Sequence, residues 1–287
     1  MSFLFRIGVT NISLKIIDLH LHSNASDGIF SPSELIRIVA TAGIRAAALT
    51  DHDTTAGLRE ATHTATQMGI EFVPGVEIST IFGDHEIHIL GYYPQRYDEL
   101  EVALNKLRQD RYRRMEMMIN KLKGYGFKIK LEDLLFESGG AAPGRLHLAR
   151  LLLKKKYVHS LDQAFSLYLG HDRPAYVPRE GLKTVEAVDL LIAVGAIPVI
   201  AHPGTKGTEI IEKLIAKGLK GIEVYHPDHS IGLASKWLKF ALSKGIIATG
   251  GSDYHGDTNS FKKYSVYHAV DYNLLEGLKT LHFQLGG

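Results

Sequence analysis

Two histidines spaced two residues apart stand where a short apolar run ends. An extended chain here places Asp18, His20 and His22 on one face and Leu19 and Leu21 on the other, because successive side chains of a strand point to opposite faces. A lone strand histidine is more often a hydrogen-bonded core residue. Two imidazoles that leave an apolar strand on the same side favour a metal site.

Further histidines and acids accompany the other apolar runs that are typical of strands. They are Asp51, His52 and Asp53 after the second run, Glu77 in the third, His88 in the fourth, His202 after the fifth, Glu223 and His226 in and after the sixth, and Asp253 and His255 after the seventh. In α/β barrels the active site lies at the carboxyl ends of the strands. We therefore expect these side chains to gather at one mouth.

Such a gathering predicts bound cations. Carboxylates buried close together repel one another and need partners, which divalent ions supply. The chain has no cysteine, so any metal site must use nitrogen and oxygen ligands. A set rich in histidine suits Mn²⁺, Fe²⁺ or Zn²⁺ better than Mg²⁺.

The alternation of apolar runs with amphipathic stretches predicts an α/β fold with a mostly parallel sheet. Its seven strands are predicted at residues 15–22, 46–52, 71–78, 86–92, 197–202, 221–225 and 246–250. The first helix has a capping box, Ser31 with Glu34, with Pro32 at its first position, and Gly43 stands where it should end. Further crossover helices are predicted at residues 54–68, 185–194, 209–216 and 233–243.

Residues 98–180 interrupt this alternation and predict an inserted helical cap, broken near Gly124, Gly139 and Gly170. Residues 1–97 and 181–287 would then form the barrel with the metal centre, and the insertion would contribute substrate-binding residues. The first helix of the insertion is basic and carries Lys106, Arg108, Arg111, Arg113, Arg114, Lys121 and Lys123. This excess suits an anionic substrate, although a solvated basic face explains most of it equally well.

Composition excludes several other classes of protein. A hydrophobic fraction of 45% provides for a sizeable core, and a net charge of +2 is too small for binding nucleic acid through bulk charge. The sequence shows no leader peptide and no long apolar run, which predicts a cytoplasmic protein without membrane contact. The motifs of serine hydrolases, zinc-helix proteases and P-loop proteins are missing from it.

The motifs together resemble the PHP superfamily, named for polymerase and histidinol phosphatase. They are Asp18-Leu19-His20-Leu21-His22-Ser23 with Asp27-Gly28, Leu49-Thr50-Asp51-His52-Asp53, Gly75-Val76-Glu77-Ile78-Ser79, Ala201-His202-Pro203-Gly204 and Gly251-Ser252-Asp253-Tyr254-His255. The resemblance implies a distorted (β/α)7 barrel, with the helical cap inserted, and a centre of two or three divalent metal ions. It assigns the first metal to His20, His22, Glu77 and Asp253, the second to Glu77, His88 and His202, and the third to Asp27, His52 and His255.

Within the superfamily, the chain is similar to a bacterial subgroup that hydrolyses 3′,5′-bisphosphonucleotides and trims short RNA from its 5′ end. The insertion carries two stretches that match this subgroup, residues 144–150 and 170–178, with Leu146 where the subgroup usually has proline. The implied substrate is a small phosphorylated molecule, either a nucleotide or the 5′ end of a short RNA. No oligomeric state is implied.

The expected mechanism is in-line attack on phosphorus by metal-bound hydroxide, since coordination can lower the pKa of water to about 7. Asp253 is the catalytic residue among the ligands, and His226 and His255 compete as general acid. The predicted substrate-binding residues are Arg145, His147, Arg173 and Glu223, with the two arginines clamping the phosphate. A salt bridge within the cap explains either arginine equally well.

Three other functions stay open from the sequence. The first is a phosphatase for histidinol phosphate, and the second is a nuclease on longer DNA or RNA. An open groove lined by aromatic residues would favour long single strands, whereas a closed basic cap favours a strand terminus. The third, from a different class, is a metal-stabilised binding module without turnover.

Overall fold

The computed structural model describes residues 16–83, 85–256 and 270–286. Its strands are β1 (Ile16–Asp18), β2 (Ile44–Leu49), β3 (Glu71–Phe82), β4 (His85–Tyr92), β5 (Ile197–Ile200), β6 (Gly221–Tyr225), β7 (Ile247–Gly250) and β8 (Val270–Asp271). Its helices are α1 (Pro32–Thr41), α2 (Leu58–Met68), α3 (Tyr97–Gly124), α4 (Leu131–Glu137), α5 (Arg145–Lys154), α6 (Leu161–Ala164), which continues as a π-helical turn (Phe165–Leu169), α7 (Thr184–Ala193), α8 (Thr208–Ala216), α9 (Ile231–Lys244) and α10 (Asn273–Gln284). Across these described ranges no helix is long and apolar enough to cross a membrane, and the cytoplasmic location stays a prediction.

The strands form one sheet in the order β7-β6-β5-β4-β3-β2-β1-β8, which curls into a nearly closed barrel. The Leu19 backbone N–H donates to the carbonyl of Gly250 at 3.1 Å, and Leu21 bridges to Tyr254, so the segments after β1 and β7 meet across the gap. Helices cover the outside of the barrel. The prediction of an α/β barrel is confirmed.

Two details of the sheet were not predicted. The fourth strand runs antiparallel to both neighbours, because β3 and β4 are joined by a tight turn in which Gly83 has a φ of +59°. An eighth strand, the two-residue β8, pairs antiparallel with β1. The predicted first strand also began at Lys15, which lies outside the described residues.

The helices begin and end close to the predicted positions. The side chain of Ser31 accepts from the backbone N–H of Glu34, the Glu34 carboxylate accepts from the N–H of Ser31, and Pro32 occupies the first turn, so the capping box is confirmed. The outer helices pack on the barrel through buried residues such as Val188, Leu191 and Trp237. Burying these side chains stabilises each by roughly 1.5–3 kcal/mol relative to exposure.

The insertion has a hydrophobic core of its own. Met115, Met118 and Leu122 from the second half of α3 pack with Leu148 and Leu152 of α5. The first half of α3 packs into the barrel core through Leu100, Leu104 and Leu107. One long helix therefore joins both cores and fixes the insertion over the mouth of the barrel.

Candidate metal centre

Most of the predicted ligands lie just beyond strand ends, whereas Glu77 and His88 lie within β3 and β4. Three residues at this mouth, Asp53, His202 and Asp253, have φ values of +53°, +26° and +51°. Non-glycine residues rarely adopt this left-handed conformation, and it costs roughly 1–2 kcal/mol per residue. Such strain is typical of sites where side-chain direction matters more than local stability.

Glu77 is fully buried and contacts five of the histidines at the site. Its Oε1 lies 2.9 Å from Nδ1 of His88 and 3.1 Å from Nε2 of His202. Its Oε2 lies 3.1 Å from Nε2 of His20, 3.2 Å from Nε2 of His22 and 3.1 Å from Nδ1 of His52. Each carboxylate oxygen therefore faces a different set of imidazoles, which is the arrangement of a bridging ligand.

Three groups of donor atoms are each compact enough to hold an ion. They are His20, His22, Glu77 and Asp253, then His22, Asp27, His52 and His255, and finally His52, Glu77 and His88. The structure thus brings together all nine predicted metal ligands, including His202 through its contact with Glu77. The grouping differs from the predicted one in that His22 and His52 each belong to two groups.

The hydrogen bonding of these donors fits bound cations. Both ring nitrogens of His22, Nδ1 of His52 and Oδ1 of Asp253 are buried without a hydrogen bond of acceptable geometry. A buried polar atom without a partner is costly, and imidazole and carboxylate oxygen are strong ligands for divalent ions. These buried atoms of His22, His52 and Asp253 belong to the donor groups that could hold metal ions.

The electrostatics of the site favour ionised carboxylates. Burial alone would raise the pKa of Glu77, but the charges of His52, His20 and His88 outweigh it and hold that pKa well below its usual range. Burial likewise opposes ionisation of Asp253, whose pKa is nevertheless lowered well below its usual range by His20 and His255. Both carboxylates are therefore ionised at neutral pH, the form in which a carboxylate binds a metal ion.

Side chains behind the ligands fix their orientation. Oε1 of Glu223 lies 3.0 Å from Nδ1 of His20, and its Oε2 accepts from the backbone N–H of His202 at 2.7 Å. Nδ1 of His255 lies 2.8 Å from the carbonyl of Asp253. A ring whose Nδ1–H donates in this way presents the Nε2 lone pair to a metal.

A cavity of about 180 Å³ lies beside the ligands and under the insertion. The predicted ligands Asp27, His52, His88 and His255 line it, as do Arg111, Arg114, Arg145 and Arg179 together with Glu86. Glu86 binds three of the guanidinium groups, at 3.2 Å to Arg114, 2.7 Å to Arg145 and 3.1 Å to Arg179. Burial opposes ionisation of Glu86, but these arginines hold its pKa well below the usual range.

Of the four predicted substrate-binding residues, only Arg145 lines this cavity. Arg173 is exposed on the insertion. His147 is buried and its Nδ1 accepts from the backbone N–H of Gly144 at 3.1 Å, so it caps its own helix. Glu223 is fully buried behind His20, a position that does not fit contact with substrate.

The predicted general acids differ in their surroundings. Nε2 of His255 lies 3.2 Å from Asp27, inside a metal group. His226 is buried, its Nδ1 accepts from the backbone N–H of Asp228 at 3.1 Å, and its Nε2 lies 3.5 Å from Asp253. The neutral His226 ring therefore carries its proton on Nε2, facing the metal centre.

Arg179 and Glu86 were not identified as site residues from the sequence. Arg111 and Arg114 were noted only as part of a basic helix face, yet both are buried and point into the cavity, whereas Arg113 of the same helix is exposed. Nε of Arg111 donates to Asp53 at 2.6 Å, next to the ligand His52 in sequence. The spacing of three between Arg111 and Arg114, one helix face, was the available signal.

Comparison with known proteins places the chain in a family. The family model described as PHP domain matches residues 18–170. A 3′,5′-nucleoside bisphosphate phosphatase from Chromobacterium violaceum is 35% identical over 247 residues, which cover 83% of this chain and 87% of that protein. A 5′-3′ exoribonuclease from Haemophilus influenzae is 32% identical over 248 residues, covering 84% and 90%. An amidohydrolase structure from Chromobacterium violaceum, with bound sulfate and no metal, matches with a TM-score of 0.79 at 34% identity and covers 85% of this chain and 89% of that one.

A barrel whose mouth gathers histidines and carboxylates defines a metal-dependent hydrolase. The chain belongs to the PHP domain family, and with relatives that are a phosphatase and an exoribonuclease it is a phosphoesterase. The resemblance inferred from the motifs is confirmed. Divalent metal ions as cofactors follow from the family and the donor groups, while their number and identity stay predictions.

Proposed function

We propose that this protein hydrolyses a terminal phosphate ester of a nucleotide, either of a 3′,5′-bisphosphonucleotide or at the 5′ end of a short RNA. The observation that carries this proposal is a cavity lined both by four predicted metal ligands and by four arginines. Cationic groups stabilise a phosphomonoester dianion, and guanidinium matches its oxygens through paired hydrogen bonds. The relatives from Chromobacterium violaceum and Haemophilus influenzae support these two substrates.

The metal ions would be held by three positions that share ligands. The first would use His20, His22, Glu77 and Asp253, the second Glu77, His88 and His202, and the third Asp27, His52 and His255. When bound, divalent ions polarise phosphoryl oxygens and make coordinated water acidic enough to act as a nucleophile near neutral pH. Mn²⁺, Fe²⁺ and Zn²⁺ suit this nitrogen and oxygen donor set.

The residues of the chain itself would position the phosphate and supply a proton. Arg145 and Arg179 bind the phosphoryl oxygens, and Glu86, which contacts both guanidinium groups, keeps them oriented. His226 holds a proton on Nε2 at the edge of the centre and donates it to the leaving oxygen. Glu223 orients His20, so its role is to position a ligand.

The size and cover of the cavity favour a terminus over a long strand. At about 180 Å³ it is smaller than the about 300–1,000 Å³ of typical small-molecule pockets, and the insertion roofs it. Arg150 of α5 donates from Nη1 to the carbonyl of Asp27 at 2.6 Å, and this hydrogen bond holds the insertion against the barrel. A single phosphorylated end fits this small, partly covered space better than the middle of a polynucleotide.

A direct comparison of substrates tests the proposal. Protein loaded with Mn²⁺ is incubated with 3′,5′-bisphosphoadenosine, histidinol phosphate and a 5′-phosphorylated oligoribonucleotide, and phosphate or nucleotide release is measured. We expect turnover of the first and third substrates at rates at least ten-fold above that of histidinol phosphate. A preference for histidinol phosphate would contradict this proposal and favour the histidinol phosphate phosphatase. Inactivity on all three substrates with metal bound would favour a binding module without turnover.

Substitution of a ligand separates the metal centre from the remainder of the protein. Asp253→Ala should lose both activity and part of the bound metal, because Oδ1 of Asp253 lies 3.0 Å from Nε2 of His22 within one donor group. His63→Ala is the matched control, since His63 is an exposed histidine on α2. An active Asp253→Ala variant with a full complement of metal would contradict the assigned site.

A further inference from the structure

A second cavity, of about 390 Å³, lies beside the first on the underside of the insertion. Ile81, His171, Asp172, Tyr176 and Pro178 line it together with Gly83. Glu86 and Arg179 line both cavities, so the two are neighbours across one ion pair. A ligand whose phosphate lies against Arg179 would extend directly into this second space.

Tyr176 contributes an aromatic ring to the lining of the second cavity. The guanidinium carbons of Arg114 and Arg145 lie 5.5 Å and 5.9 Å from its centroid, and the ring of His171 lies 5.0 Å away, tilted by 49°. The same two arginines line the first cavity. Tyr176 is therefore fixed next to the groups that bind the phosphate.

The backbone around Tyr176 is held in place, so the ring is a rigid surface. Lys121 Nζ donates to the Tyr176 carbonyl at 2.6 Å, and the Tyr176 N–H donates to the carbonyl of Arg173 at 2.9 Å. The neighbouring Ala175 and Val177 are buried in the core of the insertion. A rigid aromatic surface loses little conformational entropy when a ligand stacks on it.

We propose that the cleft formed by Ile81, His171, Tyr176 and Pro178 binds the nucleobase of the substrate, with Tyr176 as the stacking surface. The proposal rests on the proposed function, because it assigns the part of the nucleotide that lies beyond the phosphate. Stacking of a base on an aromatic side chain changes affinity by about 10-fold to 100-fold. The cleft therefore contributes binding energy that a phosphate without a base cannot obtain.

The cleft should bind different nucleobases with similar affinity. Apart from the ion pair and the Tyr176 hydroxyl, its polar side chains are His171 and Asp172, which are 57% and 86% exposed and contact each other at 2.7 Å. The other polar pair, Glu86 and Arg179, is joined at 3.1 Å. Discrimination between bases needs buried donors and acceptors that are left unpaired by the wrong base. We expect kcat/KM for purine and pyrimidine bisphosphonucleotides to differ by less than ten-fold.

Kinetics with a base-free substrate test the cleft. The substrates are 3′,5′-bisphosphoadenosine and an analogue that carries hydrogen in place of the base, and the variants are Tyr176→Ala, Tyr176→Phe and, as control, the exposed Tyr125→Ala. Tyr176→Ala should raise KM for the nucleotide about 10-fold to 100-fold, leave the analogue nearly unchanged and spare kcat. Tyr176→Phe and Tyr125→Ala should resemble the wild type. An equal loss on both substrates, or no loss on either, overturns the proposal.

A binding measurement separates this proposal from the proposed function. Adenosine 5′-monophosphate and inorganic phosphate are titrated calorimetrically into the metal-loaded protein, whether or not bisphosphonucleotides are turned over. We expect the nucleotide to bind at least ten-fold more tightly than phosphate, and Tyr176→Ala to remove this preference. Equal affinity of the wild type for the two probes, or a preference that survives in Tyr176→Ala, overturns the nucleobase cleft even if the enzyme proves to be a nucleotide phosphatase.

Discussion

The hydrogen bond between Glu223 and His20 shows how a residue without substrate contact controls the site. Because Nδ1 of His20 lies 3.0 Å from Glu223, its other nitrogen, Nε2, is left to face Glu77 and Asp253. The same carboxylate accepts from the backbone of His202, so one side chain orients two predicted ligands. Partners of this kind commonly change metal affinity 10-fold to 100-fold when removed.

His147 predicts a measurable dependence of stability on pH. Burial lowers the pKa of His147 to about 4, whereas an unfolded histidine titrates near about 6.5. As the pH falls from about 6.5 to about 4, the unfolded chain takes up a proton that the folded chain excludes, so stability present above this window is lost within it. In His147→Gln this contribution is missing.

Chemical denaturation of the metal-free protein at a series of pH values measures this effect. The free energy of unfolding of the wild type relative to His147→Gln should fall by about 2–3 kcal/mol between pH 7 and pH 4. Histidines common to both proteins cancel in the difference. Parallel pH profiles for the two proteins would show that His147 is not held neutral by its burial.

The sequence predicts the metal ligands at the residue scale because their signal is local. The period of two in His20 and His22, and acids directly after apolar runs, can be recognised without knowledge of the fold. Arg179 and Glu86 have no such signal, since they meet only when the insertion folds over β4. Arg173 was selected from a sequence motif, but it does not line the cavity. Arg179, six residues later in the chain, does.

At the scale of elements, α5 connects the insertion to the metal centre. Arg150 donates from Nη1 to the carbonyl of Asp27 at 2.6 Å and from Nη2 to the carbonyl of His255 at 3.3 Å. These two residues belong to the same donor group and come from loops after β1 and β7. The helix therefore holds the two loops at a fixed separation.

Arg150→Met should weaken one metal position selectively. Methionine keeps the apolar stem but removes both hydrogen bonds, so the Asp27, His52 and His255 position should lose affinity about 10-fold, with smaller changes elsewhere. Metal content after dialysis against graded concentrations of Mn²⁺ measures each affinity, and the exposed Arg113→Met is the control. Unchanged binding, or equal weakening of every position, would contradict the role assigned to α5.

Helices and strands were predicted well where one surface of the element is apolar, and less well where direction depends on a turn. The apolar run of β4 was identified, but apolar runs are compatible with either direction, and only the short connection at Gly83 makes the strand antiparallel. The two residues of β8 carry no periodicity. The sequence pattern also did not reveal that α3 is one long helix, because its two halves pack into different hydrophobic cores.

At the scale of the whole molecule, the predicted metal ligands come from distant parts of the chain. The ligands follow β1, β2, β5 and β7 or lie within β3 and β4, so bound cations would join six segments of the barrel. At the same mouth, burial opposes ionisation of Asp27, Glu77 and Asp253, and charged histidines hold the pKa values of these carboxyls well below the usual range. Cations that bind only the folded arrangement of these residues would stabilise it.

Removal of metal should therefore lower the thermal stability of the entire barrel and its insertion in one transition. A ligand present at about 100 times its Kd stabilises the folded state by about 2.7 kcal/mol, which for a domain of this size corresponds to a decrease in Tm of about 5–10 °C on chelation. Calorimetry with and without a chelator, followed by re-addition of Mn²⁺, measures the change and its reversal. In Asp253→Ala the response to chelator should shrink, while Asp189→Ala, an exposed acid on α7, should respond as the wild type does. A Tm that is independent of chelator would mean that cations do not stabilise the barrel. An insertion that unfolds separately, at a temperature unchanged by chelation, would mean that Arg150 does not transmit the effect of the cations to α5.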